Sequence, residues 1–303
     1  MLADVLRLIR VPLLFTALAD PVAGYCLGMP AGASPRWEAI LPTLLASVCL
    51  YAAGMVFNDC ADLIRDRTLH PDRPLASGRI AFAPAFSLGV VLGLVAILAA
   101  QTVNARTGAT AFGLALGILF YNGVAKRSWI PGSLVMGALR TGNVLMGLYA
   151  AAPPTLASAG TAAAFLGVIF LYVTLLTLLS GLEEPPPRPK TFITLVVLMA
   201  LAAVSTVLVL PAPFAGGLWI SLALVLLLAL ALLARGLNAL REFDPGQVST
   251  LVQIGVLGII PLDAAVAVGT GNLMISMALL LLLIPPLGLV TGFIRMPGLE
   301  RAN

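Results

Sequence analysis

The sequence predicts an all-α integral membrane protein, built as a polytopic bundle of transmembrane helices. Of its 303 residues, 60% are apolar and only 10% are charged, and the mean hydropathy is +1.05. Soluble domains have about a quarter of their residues charged, so the composition excludes a soluble globular protein. Long unbroken apolar runs are common and the alternating runs of a membrane barrel are absent, which favours helices.

Ten apolar segments reach the roughly 20 residues that a spanning helix needs. We expect these helices near residues 9–29, 39–58, 82–102, 107–124, 131–151, 160–181, 191–211, 214–235, 249–269 and 272–294. The first segment follows two arginines and precedes Ala31-Gly32-Ala33, as a cleaved signal peptide does. It is longer than a usual signal core and contains Asp20-Pro21, so we interpret it as a retained first helix.

The positive charges predict how the bundle is oriented. With ten crossings, all of the 17 Lys and Arg residues except Arg36, Arg106 and Arg140 fall on one side of the membrane. By the positive-inside rule that side is cytoplasmic, and both termini lie there. We therefore expect one domain over residues 1–303 whose cytoplasmic loops, residues 58–81, 121–130, 180–190 and 235–247, carry the chemistry.

Charge and cysteine usage exclude several other functions. The net charge of +4 follows from this one-sided distribution, so no nucleic-acid partner is predicted. Cys26, Cys49 and Cys60 are odd in number and lack the spacing of metal ligands, which indicates packing residues without a disulfide framework. His70 is the single histidine, and this excludes a multi-histidine metal centre.

Residues 54–79 concentrate the polar chemistry. Four of the 13 acidic residues lie here, including Asp59, Asp62 and Asp66. If the second helix continues through Asp66, offsets of 3 and 7 place these three carboxylates on one face, with Asn58 beside them. Crowded carboxylates favour a cation, and Mg²⁺ is usually held by one or two carboxylates plus substrate phosphates.

Four arginines follow this cluster closely and offer guanidinium groups to the remaining phosphate oxygens. They are Arg65, Arg67, Arg73 and Arg79. The alternative interpretation is a solvated helix end, at which the acids and the arginines pair with one another.

Three charged residues lie within apolar segments: Asp20, Arg140 and Asp263. A charge at the bilayer centre costs at least about 2.5–3.5 kcal/mol, so each should face the bundle interior, a partner or a water-filled cavity. We expect Arg140 and Asn143, three residues apart, to line a cavity under the acidic cluster. The alternative is a structural ion pair of Arg140 with Asp20 or Asp263.

Together these motifs resemble the UbiA superfamily of intramembrane prenyltransferases. The resemblance covers the first nine helices and rests on Asn58-Asp59-x-x-Asp62-x-x-x-Asp66, Arg73-Pro74, Ser77-Gly78-Arg79 and Tyr121-x-x-x-x-Lys126-Arg127. It implies a helical bundle around a central, lipid-open cavity with the active site at its cytoplasmic end. There, two acidic motifs bind an isoprenyl diphosphate through Mg²⁺.

The chain departs from the family at the second acidic motif, usually Asp-x-x-x-Asp at the end of the sixth helix. Only Glu183 and Glu184 stand there, after Leu-Leu-Ser-Gly. This pattern, with Arg140-x-x-Asn143 and a tenth helix, looks like the EboC-like branch, for which we expect a bacterial inner (plasma) membrane. A single Glu can complete a Mg²⁺ site, but the number of ions is left open.

The resemblance also implies roles for individual residues. It places Asp59, Asp62, Asp66 and Glu183 on Mg²⁺ with help from Asn58. It places Arg73, Arg79, Lys126 and Arg127 on the diphosphate. Tyr121 would hydrogen-bond phosphate or shield the prenyl cation with its ring. Arg140, Asn143 and Asp20 would bind the acceptor.

The acceptor remains open between two classes. Aromatic acceptors attack through a ring carbon, whereas a sugar phosphate or cyclitol attacks through oxygen. Two other functions remain open as well. One is a non-catalytic isoprenoid-lipid carrier or scaffold with a degenerate second motif. The other is an ion-coupled transporter that uses Asp20, Arg140 and Asp263 as a relay.

Overall fold

The computed structural model of the protein describes residues 2–30, 33–151, 156–183, 189–210, 215–242 and 245–290. Within these ranges the chain is helical and contains no strand. The helices are α1 (Leu2–Leu8), α2 (Val11–Gly28), α3 (Trp37–Leu69), α4 (Phe82–Val103), α5 (Ala105–Gly123), α6 (Trp129–Ala151), α7 (Leu156–Ser180), α8 (Pro189–Val209), α9 (Ala215–Glu242), α10 (Pro245–Leu257), α11 (Ile259–Gly269), α12 (Leu273–Leu281) and α13 (Ile284–Val290).

In the described part of the chain, nine helical segments are long and apolar enough to cross a membrane. They coincide with the first nine predicted spans, which confirms the predicted fold class. The ninth is formed by α10 and α11 together. The segment expected as one helix at 272–294 instead forms the short helices α12 and α13. Pro285 and Pro286 lie there, and proline supplies no backbone N–H to continue a helix.

Helices that follow one another in sequence pack side by side from α2 to α9, and α11 returns from α9 to α2. The spans therefore close into a ring, and α2 and α6 pack against each other across it. This contact divides the bundle into one half built from α2 to α6 and a second half that contains α7 to α11.

The α2–α6 contact is close because both helices present glycines to it. A Cβ atom on Gly24 would lie 1.9 Å from the Val144 carbonyl oxygen, and one on Gly147 would lie 1.9 Å from the Pro21 oxygen. Small residues let membrane helices approach to backbone contact, where packing and polar side chains replace the hydrophobic effect. The approach brings polar groups of α6 within reach of the α2 backbone.

The second half of the bundle is filled by large side chains. Phe165, Tyr172, Phe192 and Met199 are fully buried in one continuous apolar cluster. The Tyr172 hydroxyl is the one polar group of that side chain, and it donates a hydrogen bond of 2.8 Å to the Gly255 carbonyl oxygen. The cavities described below are lined by the other half and by the end of α7.

Candidate active site

Helix α3 carries the acidic cluster beyond the apolar part of the bundle. Its 33 residues run from Trp37 to Leu69. At a rise of about 1.5 Å per residue the helix is about 50 Å long, against about 30 Å of bilayer hydrocarbon. The helix therefore continues through Asp66, as the prediction of aligned carboxylates requires, and its last turns project past the bilayer core.

Around the helix axis the acidic residues form two groups. At about 100° per residue, Asn58 and Asp62 lie about 40° apart, and Asp59 and Asp66 lie about 20° apart on the adjoining surface. Asp59 and Asp66 are nearly inaccessible, at 3% and 4% exposure. The three carboxylates share a broad face of the helix. Beside this face lies a polar cavity, described below, and of these four residues only Asn58 and Asp62 line it.

Lys126 contacts both Asn58 and Asp62, the two residues of α3 that face the polar cavity. Its Nζ atom lies 2.8 Å from Asp62 Oδ1 and donates a hydrogen bond of 3.1 Å to Asn58 Oδ1. The lysine is held by a 3₁₀ turn, Ala125–Arg127. A Cβ atom on Gly132 would lie 3.1 Å from the Ala125 oxygen, so the start of α6 packs directly on this turn.

Arginines from two different segments pair with the other two aspartates. Arg10, at the junction of α1 and α2, lies 3.3 Å from Asp59 Oδ1. Its backbone is left-handed, with φ of 50°, which costs a non-glycine residue about 1 kcal/mol or more. Arg73 lies 2.6 Å from Asp66 Oδ2. Of the arginines in the alternative interpretation, Arg73 thus pairs with an acid of the cluster, but Asp59 and Asp66 are buried, unlike the acids of a solvated helix end.

Arg79 faces away from the cluster. Its Nε atom lies 2.8 Å from Asp4 Oδ1, and it also donates a hydrogen bond to the Asp72 carbonyl oxygen. It therefore ties the loop after α3 to α1. Arg79 is not among the described residues that line the two cavities presented below.

The polar cavity has a volume of about 540 Å³. Besides Asn58, Asp62 and Arg65 of α3, charged and polar side chains of three other segments line it: Tyr121, Lys126, Arg127 and Glu183. Glu183 reaches it because the end of α7 is attached to the start of α6. Trp129 Nε1 donates a hydrogen bond of 3.0 Å to the Leu178 carbonyl oxygen. Glu184 lies outside the described residues.

A second cavity, which we call the apolar chamber, lies next to the polar cavity. It has a volume of about 250 Å³ and is lined mainly by apolar side chains of α3, α5 and α6, such as Leu50, Ile118 and Leu139. Asn58 and Tyr121 line both cavities, so they stand where the two spaces meet. Mainly apolar binding pockets typically measure about 300–1,000 Å³, so the chamber is slightly smaller than this range.

Arg140 and Asn143 line the apolar chamber, as expected. Arg140 also forms the predicted ion pair: its Nη1 atom lies 3.0 Å from Asp20 Oδ2, and Nη2 donates a hydrogen bond of 2.6 Å to Thr16 Oγ1. Asn143 donates a hydrogen bond of 2.9 Å to the same Asp20 oxygen. Asp20 itself is completely buried and stands behind the two residues that face the chamber.

Four polar residues of the chamber wall were not singled out as site residues from the sequence: Arg10, Ser47, Tyr51 and Asn122. Within the described structure, the Tyr51 hydroxyl and Asn122 Oδ1 are buried without a hydrogen-bond partner. Tyr51 lies seven residues before Asn58, on the same helical face, and Asn122 follows Tyr121. These spacings were the available signal, whereas Arg10 had been counted only for orientation.

The oxygen donors of the polar cavity fit a magnesium ion in their chemistry. Asp62, Glu183 and the Asn58 amide line one cavity, and the Lys126 ammonium group already lies between Asn58 and Asp62 as a cation. The described residues contain no group of three or more His, Cys, Asp or Glu side chains gathered to hold a metal ion. Mg²⁺ needs only one or two carboxylates when phosphates complete its shell.

The fold and the two cavities define an integral membrane helical bundle in which a polar cavity adjoins an apolar chamber. The chain belongs to the UbiA prenyltransferase family, whose model matches residues 20–253.

Two relatives illustrate the similarity in sequence. The chain is 30% identical over 137 residues to digeranylgeranylglyceryl phosphate synthase of Ignicoccus hospitalis, an alignment that covers 44% of this chain and 45% of the relative. It is 36% identical over 75 residues to 4-hydroxybenzoate octaprenyltransferase of Burkholderia ambifaria, covering 24% of this chain and 26% of the relative. The chain thus matches less than half the length of these relatives.

The fold is similar to that of a UbiA homologue from Archaeoglobus fulgidus bound to GPP and Mg²⁺. The TM-score is 0.62 at 15% identity, and the match covers 87% of this chain and 99% of the homologue. At this identity the likeness concerns the fold.

Proposed function

We propose that this protein catalyses Mg²⁺-dependent transfer of a prenyl chain from an isoprenyl diphosphate to an acceptor within the membrane. The observation that carries the proposal is the junction of the polar cavity with the apolar chamber at Asn58 and Tyr121. A diphosphate head and an isoprenoid tail require two adjoining environments of this kind. Family membership and the ligands of the Archaeoglobus homologue, GPP and Mg²⁺, support it.

The polar cavity would receive the diphosphate. Asp62 and Glu183, with the Asn58 amide, would hold Mg²⁺, while Lys126 and Arg127 would bind phosphate oxygens directly. Lys126 would have to leave Asp62, at 2.8 Å, so that its ammonium group can bind the negatively charged head group.

We retain Asp59 and Asp66 as ligands in the proposal, once Arg10 and Arg73 turn towards the phosphates. Arg79 would act on the diphosphate only after it releases Asp4.

In the proposed reaction, the bond between the prenyl C1 and the diphosphate oxygen breaks, and its electron pair leaves with pyrophosphate. The acceptor forms a new bond to C1 and loses a proton. Bound Mg²⁺ supplies Lewis-acid stabilisation of the leaving group. Lys126 and Arg127 stabilise the same developing negative charge, which makes them more effective in the transition state than in the ground state. Tyr121, at the junction, shields the positive carbon with its ring.

The wall of the apolar chamber favours an acceptor with polar groups. Arg140 and Asn143 face it, and the buried Tyr51 hydroxyl and Asn122 Oδ1 lack partners among the described side chains. Buried polar groups are usually hydrogen-bonded, so a ligand with hydroxyl or anionic groups would satisfy them. A polyol, cyclitol or sugar phosphate fits this chemistry, and so does a phenolic carboxylate. Asp20 would act by orienting Arg140 and Asn143.

The finer assignments remain proposals. Membership of the EboC-like branch rests on the Leu-Leu-Ser-Gly-Leu-Glu-Glu pattern and on Arg140-x-x-Asn143. A bacterial inner membrane and cytoplasmic termini rest on that branch and on the one-sided charge. One domain over residues 1–303 is likewise a proposal.

The second candidate is a non-catalytic carrier or scaffold for isoprenoid lipids. The observation that favours it is the separation of the carboxylates: in the described chain no three of them gather around one point. A carrier, however, has no need for Lys126 between Asn58 and Asp62 or for Glu183 in the same cavity.

Pyrophosphate release decides between the two. Purified protein in lipid nanodiscs is incubated with Mg²⁺ and radiolabelled farnesyl or geranylgeranyl diphosphate, together with 4-hydroxybenzoate or myo-inositol as trial acceptors. The proposal expects release that requires Mg²⁺ and is lost in Asp62→Asn. The matched control is Glu38→Gln, at the opposite end of α3, where the carboxylate is 76% exposed. Retained binding of labelled donor without release under any of these conditions would favour the carrier.

A further inference from the structure

Two buried carboxyl groups meet between α2 and α11. Helices α2 and α11 pack against each other, and Asp20 and Asp263, which both have no solvent exposure, present buried carboxyl oxygens without a donor there, each within hydrogen-bonding reach of the other group. Carboxylates only accept hydrogen bonds, so two ionised groups in this position repel each other at close range. Either a cation or a proton must therefore lie between them.

The hydrogen bonds to individual oxygens indicate where that proton lies. Asp20 Oδ2 receives hydrogen bonds from both Arg140 and Asn143. Asp20 Oδ1 and both oxygens of Asp263 are buried and receive none from any donor in the described residues. The ion pair with Arg140 thus belongs to Asp20, which favours Asp20 as the ionised partner. Asp263 is left to carry the proton, with Asp20 Oδ1 as its acceptor.

Charge balance leads to the same assignment. One guanidinium group, that of Arg140, faces the two acids, so full ionisation would leave a net negative charge in a site without solvent. An isolated buried charge costs several kcal/mol, and buried groups neutralise instead of bearing this cost. With one proton, the three side chains are neutral overall.

We infer that Asp263 is a proton-bearing positioning residue, which donates a hydrogen bond to Asp20 and thereby holds Arg140 at the wall of the apolar chamber. Asp20 is fixed at both oxygens, by Asp263 on one side and by Arg140 and Asn143 on the other. Arg140 in turn has one terminal nitrogen on Asp20 and the other on Thr16. Its direction towards the chamber is therefore set by a network that extends to α11.

Infrared spectroscopy of the wild-type protein in nanodiscs tests this inference without substrate. A protonated carboxyl group absorbs in a C=O stretching band well separated from the carboxylate bands. We expect such a band in wild type and its loss in Asp263→Asn. We also expect its loss in Asp20→Asn, because Asp263 then becomes the only counter-ion of Arg140 and ionises. The control Glu38→Gln should leave the band unchanged.

A rescue experiment separates positioning from simple packing. The amide of Asp263→Asn can still donate to Asp20 Oδ1, whereas the side chain of Asp263→Leu has similar volume and no donor. We expect Asp263→Asn to unfold within a few degrees of wild type, and Asp263→Leu to shift its unfolding midpoint clearly lower. Equal behaviour of the two variants, or a band that persists in Asp263→Asn, would overturn the inference.

These measurements are independent of the proposed reaction, because none of them requires turnover. Absence of pyrophosphate release would therefore count against prenyl transfer alone. Absence of the carboxylic-acid band would count against the proton on Asp263 alone.

Discussion

The protein contains two groups of acidic residues that solve the problem of crowded negative charge differently. At the end of α3, the aspartates Asp59, Asp62 and Asp66 each have a separate cation, from Arg10, Lys126 and Arg73. Between α2 and α11, Asp20 and Asp263 face the single cation of Arg140. The first group has one cation for each carboxylate, whereas the second has one cation for two carboxyl groups, and there we infer a proton.

The difference reflects the number of cations within reach, because Asp59 and Asp66 are nearly as inaccessible to water as the intramembrane pair. The α3 group borders a polar cavity and contacts basic residues from three separate segments, so its cations can exchange partners when a ligand enters. The intramembrane pair has no exposure at all. Asp20 contacts Arg140 and Asn143 where the backbones of α2 and α6 pack closely together. The α3 group, which in our proposal binds and releases a ligand, therefore has several cations that can exchange partners. The intramembrane pair, which holds Arg140 in place, has a single cation.

The largest effect is expected for Arg140→Leu. The substitution leaves the buried Asp20 carboxylate without its cation, and breaking a buried pair costs about 3–5 kcal/mol. The free energy of unfolding in detergent or lipid measures the loss. The double variant Asp20→Asn/Arg140→Leu removes both charges and should recover a large part of it. A single variant as stable as wild type would show that the pair contributes no structural restraint.

Loss of the Asp62 carboxylate should weaken Mg²⁺-dependent donor binding by roughly 100-fold, about 2.7 kcal/mol. Asp62 lines the polar cavity, whereas Asp66 faces Arg73. Asp62→Ala should therefore have a larger effect than Asp66→Ala, and retention of labelled geranylgeranyl diphosphate by the folded variants measures it. Equal losses would show that Arg73 releases Asp66 to the ligand as readily as Lys126 releases Asp62.

Gly147→Ala is expected to reduce stability by about 1–3 kcal/mol through overpacking. Its Cβ atom would lie 1.9 Å from the Pro21 oxygen, so α2 and α6 would have to separate, and Asn143 would move away from Asp20. Gly93→Ala in α4 is the matched control. Its Cβ would contact nothing within 4 Å, and alanine favours a helix over glycine by about 0.8–1 kcal/mol. Opposite shifts in unfolding midpoint are expected.

The smallest effect is expected for Glu183→Gln, about tenfold in the Mg²⁺ concentration for half-maximal pyrophosphate release, or about 1.4 kcal/mol. The amide keeps one oxygen donor and loses the charge that attracts the ion. Glu184→Gln should have a much weaker effect. If the two variants behave in the reverse order, the ligand would be Glu184.

Much of the fold was predictable from the sequence because a bilayer imposes simple rules. A spanning helix must be long and apolar, so the first nine spans were found within a few residues at most of their ends. The exceptions were α3 and α9, where the predictions ended the spans at residues 58 and 235 and the helices continue to Leu69 and Glu242. Hydropathy detects where the apolar part stops, whereas the backbone hydrogen bonds of a helix continue into polar sequence.

The site was predictable in composition and less so in its pairing. The motif from Asn58 to Asp66 and the motif at Tyr121 and Lys126 identified site residues of which all but Asp59 and Asp66 line the polar cavity. Which cation faces which acid was not predictable. Arg10 pairs with Asp59 across 49 positions of sequence, and no local pattern records such a contact.

The sequence by itself determined the class of protein, the spans and the family, because length, hydropathy and short motifs are local properties. Only the tertiary structure decided that Asp59 and Asp66 turn towards Arg10 and Arg73, that Glu183 and Asp62 line one cavity, and that Asp263 lies against Asp20. Electrostatic pairing depends on distance and burial, and both arise from helices distant in sequence that glycines such as Gly24 and Gly147 allow to pack together.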